Sequence, residues 1–228
     1  MTLKLTARLA AVASLVNPGG TVADIGTDHA YLPAFLVLEG RIQSAIACDV
    51  RKMPLENAAE TLRRFGLSDK ISLRLSDGLD AVLPGEADEI VIAGIGGTLM
   101  TEILSRAAWL KAAGKHLVLQ PQTHSEDVRR FLCENGFRIL CEKAAQEPGH
   151  VYGVISAVYT GAENTHDEAY YYVGEMPQSE SAEGRIYIKN TLSRLKKKAA
   201  ALRAAESDTE TVCRIEKIIK QIESPEML

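Results

Sequence analysis

The chain has 228 residues, 46% of them hydrophobic and 25% charged, with a formal net charge of −4. That is the make-up of a soluble globular protein of one large domain or two small ones, with enough apolar material for a sizeable core. No apolar run approaches the roughly 18 residues a membrane span needs, and the amino terminus shows no secretory pattern. The cysteines Cys48, Cys133, Cys141 and Cys213 form no C-x-x-C pair. This speaks against a metal site and for reduced thiols in a cytoplasmic protein, with a monomer as the default state.

Residues 1–16 have helical spacing of Leu5, Leu9, Val12, Ala13 and Val16, with Lys4 and Arg8 one turn apart. Asn17-Pro18-Gly19-Gly20 ends that helix. Apolar runs at 21–25, 44–49, 71–75, 89–93 and 116–120 then read as buried parallel strands. Helical stretches at 30–40, 54–65, 98–106 and 125–135 alternate with them. Segments 137–147 and 151–159, joined through Pro148-Gly149, read as a closing hairpin. The sum is an α/β, doubly wound, mainly parallel seven-stranded sheet.

After Tyr159 the composition changes, and 160–168 reads as a polar linker. Leu192, Leu195, Ala199 and Leu202 are spaced 3, 4, 3, and Val212, Ile215, Ile219 and Ile222 repeat the pattern. Ser207 and Glu210 between them have the order of a capping box. The expectation is an antiparallel coiled-coil hairpin, with one unit at 1–160 and another at 161–228. Residues 185–220 hold ten Lys and Arg against four Asp and Glu, in a chain that is net negative. Such a stretch is either a solvated helical face or a grip for a polyanion.

Five polar or glycine-rich spots fall at predicted strand ends, where open α/β sheets bind ligands. The first is Asp24-Ile25-Gly26-Thr27-Asp28-His29. Gly26 permits close backbone approach, and Asp24 or Asp28 suits a cationic group. The second is Asp49, whose two acceptor oxygens match adjacent ribose hydroxyls. The third, Asp77-Gly78, has an acceptor for an exocyclic amine or is a plain turn. The fourth, Ala93-Gly94-Ile95-Gly96-Gly97, offers a small-walled slot or a nest of N–H groups. The fifth, Gln120-Pro121-Gln122-Thr123-His124, can hydrogen-bond a base edge. Neither G-x-G-x-x-G nor G-x-x-x-x-G-K-[ST] is present, which argues against a nicotinamide dinucleotide or ATP. S-adenosylmethionine (SAM) fits better, having a ribose, an adenine and an amino-acid tail but no phosphate.

These residues resemble the bacterial tRNA (adenine(22)-N1)-methyltransferases, the TrmK family. The resemblance rests on the run from Ala23 to Pro33, Asp77-Gly78-Leu79, the run from Ile92 to Gly97, Leu119-Gln120-Pro121, and Leu5, Arg8, Leu9, Val12 and Ala13. Family members often have Asn after Gln-Pro, where this chain keeps an amide one methylene longer in Gln122. The resemblance implies a class I SAM-dependent fold with a coiled-coil hairpin, and methylation of an adenine N1 in tRNA. It implies a cofactor site of Asp24, Gly26, Thr27, Asp28, His29, Asp49, Asp77, Gly78, Ala93 and Gly94. Catalytic positions are then Asp28, Gly94, Gly96, Gly97 and Gln120, with Tyr31 a stacking candidate. RNA contacts are expected from Lys4, Arg8, Arg194, Lys196, Lys197, Lys198, Arg203, Arg214, Lys217 and Lys220. Other readings compatible with these residues are a SAM-dependent methyltransferase of another RNA or small substrate, and a non-catalytic RNA-binding protein.

Overall fold

The computed structural model describes residues 3–205 and 208–224. The first helix, α1 (Ala7–Leu15), starts where the Thr6 hydroxyl accepts the N–H of Leu9. Lys4 therefore precedes the helix, which is shorter than the 1–16 expected; Leu3 and Leu5 pack on the core from the segment ahead of it. At the other end of α1, the Arg41 guanidinium donates to the carbonyls of Ala13 and Val16 at 2.8 and 2.7 Å. That satisfies acceptors the helix leaves open.

The alternating series follows: β1 (Gly19–Ile25), α2 (Tyr31–Leu38), β2 (Ile42–Asp49), α3 (Lys52–Phe65), β3 (Ile71–Leu75), β4 (Glu89–Ile95), α4 (Gly97–Arg106), β5 (His116–Pro121), α5 (Ser125–Glu134), β6 (Phe137–Glu147) and β7 (His150–Tyr159). The seven strands lie in the order β3-β2-β1-β4-β5-β7-β6. Pairings among β1 to β5 are parallel, while β7 is antiparallel to both its neighbours. The order reverses between β1 and β4, which places a crevice at their carboxyl ends.

Strands buried on both faces carry two cores by alternation. Ile90, Ile92, Leu117 and Leu119 face a core with α4 and α5, and Val91 and Val118 face one with α1, α2 and α3. Polar residues at the opposite strand ends are satisfied. His116 bridges the Glu89 carboxylate (2.6 Å) and the Ser156 hydroxyl (2.8 Å), and Glu89 also accepts from Asn17.

The expected linker runs into a short helix, α6 (Glu168–Val173), and a 3-10 turn at Met176–Gln178. Six residues give too little periodicity for a helix to be read from sequence. The helices α7 (Ala182–Ala204) and α8 (Thr209–Ile222) follow. Arg203 pairs with Glu216 and Lys196 with Glu223, so the two helices run antiparallel. Ser207 lies outside the described residues; the cap of α8 is Asp208, whose carboxylate accepts the N–H of Thr211 at 3.0 Å. Leu195, Ala199, Ile215 and Ile219 form a third core with Val173 and Met176, and Ala144 and Val151 of β6 and β7 close it. The helical unit thus sits on the sheet's antiparallel edge.

Candidate functional site

Three loops meet at the carboxyl edge of β1, β2 and β4. Register sets Ile25 beside Cys48, so Asp49 comes level with Gly26. The N–H groups of Gly26 and Thr27 both donate to the Cys48 carbonyl at 2.9 Å, which ties the first turn to β2. Gly26 has φ +81°, a conformation that favours glycine. Ala30 at the head of α2 is also left-handed, at φ +52°. Strain of this kind in a non-glycine residue gathers at functional turns.

Asp24 is buried at the end of β1, and burial pushes its carboxyl up to about 6 against the pull of a Thr27 hydrogen bond. Among the described residues it has no ion-pair partner. A buried carboxylate held by one hydroxyl is poised for a cation or for further donors. Asp49 is buried too, and one of its oxygens accepts the Arg51 N–H at 2.8 Å. The other oxygen takes no protein hydrogen bond among the described residues. The Ser76 N–H donates to the Asp49 carbonyl, which fixes the end of β3 against β2.

Asp77 points outward, with both carboxyl oxygens held by Arg106 at 2.9 and 3.2 Å. That pairing keeps its carboxyl below the usual range. Gly78 is left-handed, and a Cβ there would lie 2.8 Å from Ile103. The turn therefore packs on α4 as well as edging the crevice.

The glycines after β4 divide into two roles. Gly94 (φ +86°) faces the Arg8 guanidinium, which a Cβ would approach to 3.4 Å, with the Gln122 amide at 3.8 Å. Gly97 is packed: a Cβ would fall 2.3 Å from the His124 carbonyl oxygen and 2.7 Å from that of Thr123. Gly96, with Thr123 at 3.2 Å, is intermediate. A Cβ at Gly94 would touch only the ends of two side chains, whereas Gly97 serves the seam between α4 and the loop after β5.

Gln120, expected to meet a base, is fully buried. Its carbonyl oxygen accepts from Arg8 Nη1 at 2.7 Å and its amide donates to the Pro121 carbonyl at 3.0 Å. Arg8, read from sequence among RNA contacts, thus lies over the end of β4 rather than with the C-terminal cations. Gln122, Thr123 and His124 are exposed at the same edge.

Beside the first turn, His29 stacks on Tyr31 (5.0 Å, 8° between planes) and pairs with exposed Asp28 at 3.5 Å. These rings open onto a cleft of about 540 Å³ also lined by Lys4, Asn57 and Glu60. The α3 residues were missed in the sequence because they lie mid-helix, away from any strand end.

On the helical unit, Arg194, Lys196 and Arg203 are engaged with Glu126, Glu223 and Glu216. Lys197, Lys198, Lys217 and Lys220 are exposed and form no ion pair among the described residues. A groove of about 490 Å³ along α7 is lined by Arg185, Lys189, Leu192, Ser193, Lys196 and Lys197. Arg185 and Lys189 were not among the expected contacts, although their i, i+4 spacing was visible.

A family model described as a methyltransferase domain matches residues 5–155. The chain is 38% identical over 155 residues to the tRNA (adenine(22)-N(1))-methyltransferase of Bacillus subtilis (strain 168). That alignment covers 68% of this chain and 65% of the relative, so in sequence the chain matches just under two thirds of the relative's length. The fold is similar to the crystal structure of the B. subtilis m1A22 tRNA methyltransferase TrmK, with TM-score 0.85 and 30% identity, covering 98% of this chain and 100% of that one. It is similar also to M. capricolum TrmK in complex with the cofactor product S-adenosyl-homocysteine, with TM-score 0.79 and 28% identity over 96% of each chain. The expected sheet, topology and C-terminal helices are those found.

Proposed function

The chain belongs to the family of bacterial tRNA (adenine(22)-N1)-methyltransferases, and on that premise we propose that it methylates N1 of adenine 22 in tRNA with SAM as donor. The observation that carries this reading is the group of residues at the carboxyl ends of β1, β2 and β4: the buried acids Asp24 and Asp49, together with the left-handed glycines Gly26 and Gly94. A buried, desolvated Asp24 and an Asp49 oxygen without a protein donor suit a ligand rich in hydroxyls and positive charge.

In this reading Asp49 holds the ribose hydroxyls, and Asp24, with Thr27 behind it, faces the positively charged tail. Gly26, Ala93 and Gly94 give the ligand room. Asp77 and Gly78 border the adenine end, where Asp77 acts together with Arg106. The bound cofactor supplies an electrophilic methyl that adenine N1 takes with its in-plane lone pair, forming N–CH3, breaking S–CH3 and leaving a thioether. N1 has no proton to lose, so no strong base is required of the protein. Its task is alignment. Asp28 lies at the rim, where its negative charge favours the methylated, cationic base. The target base, turned out of its stack at a cost of roughly a few kcal/mol, is received between Gly94, Gln122 and Thr123 on one side and the His29–Tyr31 rings on the other. Gln120 acts behind this surface by holding Arg8.

The exposed lysines of α7 and α8 are read as the phosphate grip, which gives affinity and register rather than sequence reading. The test is incubation with SAM and unmodified tRNA transcripts, followed by nucleoside mass spectrometry and mapping of reverse-transcription stops. A single 1-methyladenosine at position 22 is expected. Absence of the modified nucleoside from every transcript overturns the reading.

A further inference from the structure

The two antiparallel strands reach past their neighbour at the carboxyl edge of the sheet. Leu119 is level with Ile155, and the same register puts Pro121, the last residue of β5, level with Gly153. Residues 150–152 of β7, with their β6 partners and the Pro148-Gly149 turn, therefore stand about 10 Å beyond that strand end, at roughly 3.4 Å per residue. Alternation gives this projecting tip two unlike faces. Val151 packs in the third core, and a Cβ at Gly153 would lie 3.3 Å from Tyr187 of α7. Tyr152 and His150 point the other way, to the side of α1.

On that side three flat groups follow one another. The Arg8 guanidinium carbon lies 5.8 Å from the centre of the Tyr152 ring, and the Tyr152 and His150 rings are 5.9 Å apart with 24° between their planes. The row is fixed at its root. Gln120 accepts from Arg8 Nη1, and the Arg8 backbone N–H donates to the Glu147 carboxylate at 3.1 Å, beside the turn. A Cβ on Gly94 would lie 3.4 Å from Arg8, so the row leads from the proposed base slot to the tip of the hairpin. His150 is exposed at its outer end, and neither its ring nor the Tyr152 hydroxyl has a hydrogen bond or ion pair among the described residues. Fixed cations do not account for this surface, because no Lys or Arg occurs between Lys143 and Arg185.

Resting on the tRNA reading above, we propose that the projecting tip of the β6–β7 hairpin is a stacking wall for the RNA: an unpaired nucleobase next to the target adenine docks on the His150 ring, which Tyr152 and the Arg8 guanidinium back. Turning the target out of its stack leaves a neighbouring base with a bare face. Aromatic rings and guanidinium planes cover such faces in proteins that bind unpaired RNA, and they do so for any base. The wall therefore holds the substrate open beside the slot without reading its sequence. It lies on the opposite face of the sheet from the lysines of α7 and α8, so the two contacts grip the RNA from different sides.

Full-length wild type, His150→Ala and His150→Phe are compared with unmodified tRNA transcripts at saturating SAM, and SAM affinity is measured by calorimetry. A second set of transcripts carries 2-aminopurine beside the target adenine, on its 5′ or its 3′ side, because stacking quenches that base. His150→Ala should raise KM for tRNA about five- to a hundredfold, the range for one lost base stack, with SAM affinity within about twofold of wild type. His150→Phe, which keeps a ring and removes the charge, should stay near wild type. One of the two 2-aminopurine transcripts should be brighter when bound to His150→Ala than to wild type. A KM raised equally in His150→Phe overturns the wall in favour of an imidazolium–phosphate contact. SAM affinity lost in parallel overturns it in favour of a packing role, and an unchanged KM overturns it outright. Wild type that forms no 1-methyladenosine in any transcript overturns the tRNA reading itself, and the wall with it.

Discussion

The Arg129 guanidinium and the Glu142 carboxylate form a two-pronged ion pair, at 2.8 and 2.9 Å, with neither side chain exposed. Arg129 comes from α5 and Glu142 from β6, and the remaining donors of Arg129 reach the carbonyls of Tyr171 and Tyr172 in α6 and the hydroxyl of Tyr187 in α7. One guanidinium thus joins the sheet's edge to the helical unit. Gly174 is required beside it: a Cβ there would lie 2.4 Å from the Glu142 carboxylate.

Removing one partner of such a pair strands a buried charge, at a cost of about 3–5 kcal/mol. Arg129→Met should lower stability by that amount in urea denaturation. Glu142→Gln should be milder, because an amide still accepts from the guanidinium. With the anchor of α6 gone, tRNA affinity should fall in Arg129→Met even at temperatures where the sheet remains folded and binds SAM. A loss below about 1 kcal/mol would mean that the pair sets geometry without contributing to stability.

Asp24 ties stability to pH in the opposite sense to most carboxylates. Its pKa rises from 3.8 to about 6 on folding. The folded state holds the proton more tightly, so stability is highest below the unfolded value, falls as pH rises from about 4 to about 6, and stays reduced above that. The shift corresponds to about 3 kcal/mol. Asp24→Asn should therefore melt higher than wild type by about 6–12 °C at pH 8 without ligand, with the gap shrinking toward pH 4. The same substitution should abolish SAM binding in calorimetry, and wild-type affinity should strengthen as pH rises through 6. Equal melting temperatures of the two proteins at pH 8 would show that the fold already compensates this charge.

The alternation of apolar runs and helical stretches was enough to place every strand, because residues buried on both faces leave uninterrupted runs such as Ile90-Val91-Ile92 and Leu117-Val118-Leu119. Strand-end acids were legible for the same reason: a carboxylate at or next to the end of an apolar run, as Asp24 and Asp49 are, stands out from the buried residues before it. Side-chain pairings over long sequence distances were not legible. Arg8 meets Gln120 across 112 residues, and nothing local in either segment announces it. Asp77 meets Arg106 in the same way, which turned an isolated acceptor into half of an ion pair. Helix α6 escaped because one and a half turns carry no period, and its Tyr170-Tyr171-Tyr172 run is held by tertiary contacts rather than propensity.

Gly97 and Gly20 separate a packed glycine from an unpacked one by experiment. Gly97→Ala drives a methyl group into the backbone of Thr123 and His124 and disturbs the Gly97 N–H bond to the Thr123 carbonyl. Overpacking against main chain should cost about 2–3 kcal/mol, read as a lower denaturation midpoint with SAM binding weakened alongside. Gly20, where an added Cβ would meet nothing nearer than a side-chain oxygen of Asp88 at 3.8 Å, is the control: Gly20→Ala should change stability by less than about 1 kcal/mol. A Gly97→Ala protein as stable as wild type would move that glycine from the seam to the open slot.

The cations of α7 differ in what they have to give to RNA. Arg194 and Arg203 are already paired with Glu126 and Glu216, so a phosphate has to compete with a carboxylate for each. Lys189 and Lys197 line the groove along α7 without ion-pair partners among the described residues. A lysine that meets a phosphate releases a counterion, and each such contact adds about 0.7–0.9 to the slope of log affinity against log salt. Lys189→Gln with Lys197→Gln should reduce that slope by about 1.5 for unmodified tRNA and weaken binding severalfold at 150 mM salt. Arg194→Gln with Arg203→Gln should alter the slope by less than about half as much. Equal slopes for the two double variants would place the phosphate track elsewhere, with the exposed Lys217 and Lys220 of α8 the next pair to remove.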